Sequence, residues 1–199
     1  MKNFSMTELK TGSFEHNLQE IENESAPIFE DVVKAKSIDQ LSESKRKTIS
    51  LFIAAQSLRT KAKLVQMEEF MINTANQLWQ KVNIEVPSII FNKVWALAES
   101  DDAFLISDNP LVLQNSINQS EFKSTIGLEC FGIEIYLLLT SSLTLCLFCE
   151  KYFKSINYVQ RNIINFTCED NVIANLNSLQ IAYSERFILS HKNDFSMIL

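Results

Sequence analysis

The stretch GIEIYLLLTSSLTLCLFCE, residues 132–150, constrains the fold more than any other part of the chain. Between Ile135 and Cys149 it carries no charge. That uncharged run is shorter than the ~20 residues an α-helix needs to span a bilayer. Thr140, Ser141 and Ser142 sit at its middle, where small polar residues suit a turn. We therefore read two buried strands joined by a hairpin, and expect a sheet rather than a membrane segment.

The chain has 199 residues, enough for one domain with a sizeable core, and a single domain over 1–199 is expected. Hydrophobic residues at 46% and charged residues at 21% are globular values that argue against disorder. Only 3 Gly and 3 Pro are present, which favours long elements with ordinary turns over a many-stranded barrel. A formal net charge of −6 disfavours non-specific binding of nucleic acid, which needs Lys and Arg to neutralise phosphates. The opening MKNFSMTELKTG has no apolar core of the kind a signal peptide carries.

Cys146 and Cys149 form C-x-x-C, a spacing that can serve metal or redox chemistry. Inside a strand, residues three apart point to opposite faces, so the sulfurs diverge. No second pair or histidine cluster stands nearby, and we read structural thiols, no metal site and no cofactor. Reduced thiols and the missing export signal agree with a cytoplasmic protein.

Helical spacing runs through Phe14, Leu18, Ile21, Ile28 and Val32, with Ser13 as a cap and a kink or break at Pro27. A second helix is expected from about Ser42 to Lys81. Ile49, Phe52, Ile53, Met67, Phe70, Met71 and Leu78 lie on one side of it. Leu51, Leu58 and Val65 lie on nearly the opposite side. A helix apolar on both sides is usually buried on both, so this one should be central. A short helical pattern continues through Ile90, Val94 and Leu97. Strands are expected at 103–107 and 111–113, then a helix from Glu169-Asp170 to Tyr183 and a final strand in RFILS. The fold class is α+β: helices, one of them long and central, packed on a small, mostly antiparallel sheet with a hairpin towards the C-terminus.

Gln56, Thr60 and Lys63 fall within the apolar face of the central helix, and Arg59 at its edge. Polar groups so placed must find hydrogen-bond partners or face a cavity. An arginine fork matches a carboxylate or a phosphate. The basic residues of this helix scatter round its axis rather than forming the stripe of a nucleic-acid helix. In FLISDNPL, residues 104–111, Asp108 can close an Asx-turn on the backbone two residues on, while Pro110 holds Asn109 extended.

FEHNLQEIE (14–22), LFIAAQSLRT (51–60) with Gln56, Arg59 and Thr60, FLISDNPLV (104–112), IEIYLLLTSSLTLCL (133–147) and NSLQIAYSERFILS (177–190) occur in one order and spacing. Together they resemble the DUF4238 family, a domain of unknown function, over about residues 14–190. Members of that family usually open with a further segment bearing His-x-x-Pro and a Leu-Arg pair. Here the histidines are His16 and His191, without that pattern. The resemblance implies a chain short of that segment, and pairs Asp108 and Asn109 with the Gln-x-x-Arg helix.

Two functions compete. In one, Gln56, Arg59 and Thr60 bind an anionic or phosphate-bearing ligand that Asp108 and Asn109 orient and Arg186 helps to charge, with hydrolysis as the reaction. In the other, the chain is a non-catalytic interaction module, or a truncated inactive family member, whose uncovered apolar surface is closed by a protein partner or a second copy.

Overall fold

The computed structural model describes residues 11–59, 85–101, 103–117, 127–156 and 164–192. The chain divides into two compact units, one of residues 1–30 and 41–91, the other of residues 31–40 and 92–199. Helices and a mixed sheet among the described residues give the α+β class expected.

The first helix, α1 (Thr11–Ala35), buries Leu18, Ile21, Ile28 and Val32, the face predicted from their spacing. It has already begun at Thr11, so Ser13 is not its cap. Pro27 lies inside it without dividing it. Proline costs a helix one N–H donor, and apolar anchors on either side of Pro27 hold the segments in one helix. The helix stops at Ala35 because Lys36 takes a left-handed conformation (φ 47°), a common way to end a helix.

In the first unit, α2 (Glu43–Arg59) starts where the sequence places it. The Ser42 hydroxyl accepts the Lys45 N–H at 3.3 Å, satisfying a donor the helix leaves free. From Ile49 to Ser57 no residue is exposed, so the two-sided apolar pattern does correspond to burial. Ala55 packs with Leu18 and Ile21, flanked by Leu51 and Phe52, and Phe29 meets the Phe52 ring edge-on at 5.1 Å. The continuation expected to Lys81, with Met67, Phe70, Met71 and Leu78, lies outside the described residues. Helix α3 (Val86–Phe91) is tied to α2 by Arg46, whose guanidinium donates to the Phe91 carbonyl at 3.2 Å and sits 5.1 Å from the centre of its ring.

The second unit is built on a five-stranded sheet of order β3-β4-β5-β1-β6. Its strands are β1 (Val94–Glu99), β3 (Leu111–Gln114), β4 (Glu134–Leu138), β5 (Leu143–Phe148) and β6 (Ile164–Thr167). All neighbours are antiparallel except β1 and β6, which run parallel. The hairpin of the opening stretch is β4–β5. Its turn is closed by Thr140, whose hydroxyl accepts the N–H groups of Ser142 (3.2 Å) and Leu143 (3.0 Å). β1 corrects the sequence reading: the helical spacing through Ile90, Val94 and Leu97 is broken at Phe91, and VWALAE forms a strand. Its first five residues are all buried, so it shows no alternation from which to recognise a strand. β6 was not anticipated.

A second, two-stranded sheet pairs β2 (Ile106–Ser107) with β7 (Ile188–Leu189). The segments 103–107 and 111–113, read as one strand or two partners, thus belong to different sheets. Helices α4 (Glu150–Ser155) and α5 (Asp170–Tyr183) complete the unit. Through Leu176, helped by Val172, Ile173, Leu179 and Tyr183, α5 joins the core formed by Ala96, Ala98, Val112, Tyr136, Leu138 and Cys146. Cys146, Cys149 and Cys168 are free, with Cys146 inside β5 and Cys149 just before α4. Among the described residues no helix is long and apolar enough to cross a membrane.

Gly132, at the entry to β4, has φ +82°, and a Cβ there would lie 2.8 Å from Asn115 Oδ1. Asn115 cannot simply retreat, because its amide donates to the Phe131 carbonyl at 2.9 Å. Gly132→Ala should therefore lower stability by about 1–2 kcal/mol from backbone strain alone, read as a lower urea midpoint. An unchanged midpoint would contradict this account of the turn.

Candidate functional site

The polar residues of the second unit converge on the stretch 103–113, and the helix that organises it is α5. Asn177 and Gln180 are fully buried although both carry primary amides. Such a side chain has one donor group and one acceptor, as a peptide unit does. Asn177 Oδ1 accepts the Leu105 N–H at 2.8 Å, and its Nδ2 donates to the Ala103 carbonyl at 2.9 Å. Gln180 Oε1 accepts the Ser107 N–H at 2.9 Å, and its Nε2 donates to the Pro110 carbonyl at 3.3 Å. Tyr183 donates its hydroxyl proton to the Leu113 carbonyl at 3.0 Å. The spacing of three puts these residues on one helix face. Helix α5 thus serves the extended chain as a neighbouring strand would.

The turn at Ser107–Pro110 is fastened locally by Ser107; the Asx-turn expected of Asp108 does not form, because the residue two on is Pro110, which has no N–H to donate. The Ser107 hydroxyl accepts the Asn109 N–H at 3.1 Å and lies 2.8 Å from Gln180 Oε1. Asp108 reaches instead to the loop before β7: its Oδ1 accepts the Glu185 N–H at 3.0 Å, while its own N–H donates to the Phe187 carbonyl at 3.3 Å. The Glu185 N–H above all, with those of Arg186 and Phe187, holds the Asp108 carboxyl below the usual carboxylate range against a smaller desolvation effect.

Of the six residues singled out in the sequence, Asp108, Asn109 and Arg186 lie in the second unit, and Asp108 meets the backbone at Arg186. Gln56, Arg59 and Thr60 belong to the first unit. Gln56 is half-buried on α2. Arg59 is the last residue of that helix, and its side chain, with all of Thr60, lies outside the described residues. The amides of Asn177 and Gln180 were missed, although the signal was present: two polar residues three apart, bracketing the buried face through Leu176 and Leu179.

A second polar group missed from sequence stands at the far end of β3 and β4. The Glu134 carboxylate accepts from Gln114 Nε2 at 2.6 Å, from the Tyr136 hydroxyl at 2.5 Å, and from the Ser116 hydroxyl. Asn175, on α5, donates to Gln114 Oε1 at 2.9 Å. Burial first, and the Glu134 charge second, push the Tyr136 phenol far above its usual pKa, so it remains a neutral donor. Lys93 is a buried cation of the unit, its ammonium donating to the Leu128 carbonyl at 2.7 Å. Desolvation holds its pKa below the usual lysine value. Among the described residues no group of three or more His, Cys, Asp or Glu is placed to hold a metal ion.

A mixed-sheet α+β protein, with a strand-end turn clamped by helix amides, is the class the geometry defines. The family model described as "Protein of unknown function (DUF4238)" matches residues 4–194, and the chain belongs to that family. No curated protein and no solved structure matches it.

Asn177→Ala and Gln180→Ala should each destabilise the fold by about 1–3 kcal/mol, because each leaves a buried N–H and C=O unpaired. Chemical denaturation measures this, and a loss near zero for both would contradict the clamp. For Asp108 the lowered folded-state pKa contributes stability that is full above the ordinary carboxylate value of about 3.9 and is lost as pH falls through the folded value. Asp108→Asn should flatten the acid limb of the stability curve below about pH 4. An acid limb as steep as the wild type's would show that Asp108 is not the titrating group.

Proposed function

We propose that this chain is a non-catalytic interaction module and that the β2–β7 ribbon is its contact surface. The observation that carries the reading is exposure at β7 and just before it: Phe187 is 52% exposed and Leu189 59%. Residues two apart on a strand share a side, so the two form one apolar step. Glu185 and Arg186, both exposed, supply the polar rim that surrounds a contact of this kind. Among the described residues β7 pairs with β2 alone, and an edge strand of this sort is a template for a further strand. Gln180 and Asp108 hold the ribbon in place from behind.

The proposed partner is a second copy of the chain. An edge that pairs with itself in antiparallel fashion gives a closed two-fold interface. The competing ligand reading asks Asp108 to orient a substrate. Its carboxylate is already engaged by backbone N–H groups, which favours the structural role. We place the protein in the cytoplasm, where thiols stay reduced, a reading supported by the free Cys146, Cys149 and Cys168.

Sedimentation across a concentration series tests the proposal. The wild-type chain should pass from monomer to dimer, and Phe187→Ser with Leu189→Ser should remain monomeric and folded. A wild type that stays monomeric and binds no hydrophobic dye would overturn it.

A further inference from the structure

We infer that the surface running from Glu134 to Phe131 is a binding site for a small organic cation of the quaternary-ammonium class. It lies in the second unit and is independent of the β2–β7 ribbon.

Its first component is a negative charge that neutral donors hold and that no cation meets among the described residues. Glu134 is half-buried at the start of β4, opposite Gln114 on β3 and Phe148 on β5. The donors that hold its carboxylate (Gln114, Tyr136 and Ser116) are all neutral. Among the described residues no cationic side chain meets it. On nearby α4, the Lys154 ammonium is taken by Glu150 at 3.1 Å. A carboxylate offers about four lone-pair directions. Three donors fix its orientation, and all of them are neutral. So poor a set of free oxygens suits no hard metal ion, which takes about six oxygen ligands.

Its second component is a row of aromatic rings starting beside that charge. Tyr136 meets Phe148 at 6.1 Å between centres, Phe148 meets Phe153 at 5.6 Å, Phe153 meets Tyr152 at 5.8 Å, and Tyr152 meets Phe131 at 5.9 Å. Most contacts are edge-to-face, with interplanar angles of 84°, 90° and 79°. Turned in this way, successive rings present faces in different directions, and ring faces are electron-rich. Phe131 is 48% exposed, and Phe148, Tyr152 and Phe153 are half-buried, so the row opens to solvent.

Aromatic faces beside a carboxylate complement a methylated ammonium in both charge and surface. Its charge is spread over methyl groups that pack on rings, and it brings no N–H to be desolvated. A neutral apolar ligand would use the rings and ignore Glu134. A strongly hydrated primary ammonium would lose more water than the half-exposed row returns. The chain's net charge of −6 adds a long-range attraction for cations.

The test uses the full chain, isotope-labelled, titrated with choline and with its neutral isostere 3,3-dimethylbutanol while backbone amide shifts are followed. Choline should produce saturable shifts at Glu134, Phe148 and Phe131 and bind at least about tenfold more tightly than the isostere, because only choline adds a charge interaction. Glu134→Gln, which keeps acceptor oxygen for its neighbours, should abolish that discrimination. Phe131→Ser, at a position 48% exposed, should weaken choline about threefold while the amide spectrum stays folded. Equal binding of choline and isostere, no saturable response to choline, or full choline affinity in folded Glu134→Gln would each overturn the site. Tight binding of a trimethyl-lysine peptide together with no response to choline would overturn it as a small-molecule site.

Discussion

An extended stretch that neighbouring strands pair only in part is the constraint on which the second unit depends. Residues 103–113 leave the main sheet's register, cross beneath α5 and rejoin the sheet at β3. On the way their backbone groups are buried and need partners. Helix α5 supplies these from two amides and a phenol, Asn177, Gln180 and Tyr183, at successive three-residue steps. The same helix packs Leu176 into the core, so its burial and its hydrogen bonding are parts of one placement. Withdrawing either amide exposes both partners of a peptide pair to an apolar interior, and that cost is what ties the turn at Ser107–Pro110 to α5.

From this clamp the turn acquires its role. Ser107 closes it locally, Asp108 fastens the chain just before β7, and β7 is thereby presented at the edge of a two-stranded ribbon. The acid that looked suited to orient a ligand spends its oxygen on backbone N–H groups. On either side of Ile188, Phe187 and Leu189 stand in solvent. The contact surface we propose is this exposed apolar step, not the turn itself. At the other end of the sheet, Glu134 shows the opposite economy: neutral donors fix it and no cation among the described residues answers it.

The parts of this architecture legible in the sequence are those whose partners are near in the chain or whose pattern is periodic. The β4–β5 hairpin follows from an uncharged run with polar residues at its centre. Helix α5 follows from Val172, Ile173, Leu176, Leu179 and Tyr183. The enclosure of α2 follows from apolar residues on two sides, and holds from Ile49 to Ser57. β1 was hidden because a strand buried on both faces does not alternate, and Val94 and Leu97 happen to fall at helical spacing. The partner of Asp108 was hidden for a different reason: Glu185 stands 77 residues away, and nothing local marks the pairing. Asn177 and Gln180 were visible as polar residues on an apolar helix. Only the path of residues 103–110 shows that they serve backbone groups.

Native-state hydrogen exchange at the Leu105 and Ser107 amides tests the clamp most directly, since each donates to a single side-chain oxygen of α5. If α5 stands in for a strand, both amides should exchange as slowly as the core amides of β5, and Asn177→Ala should release Leu105 while Ser107 stays protected. Rapid exchange at both positions in the wild-type protein would contradict the account.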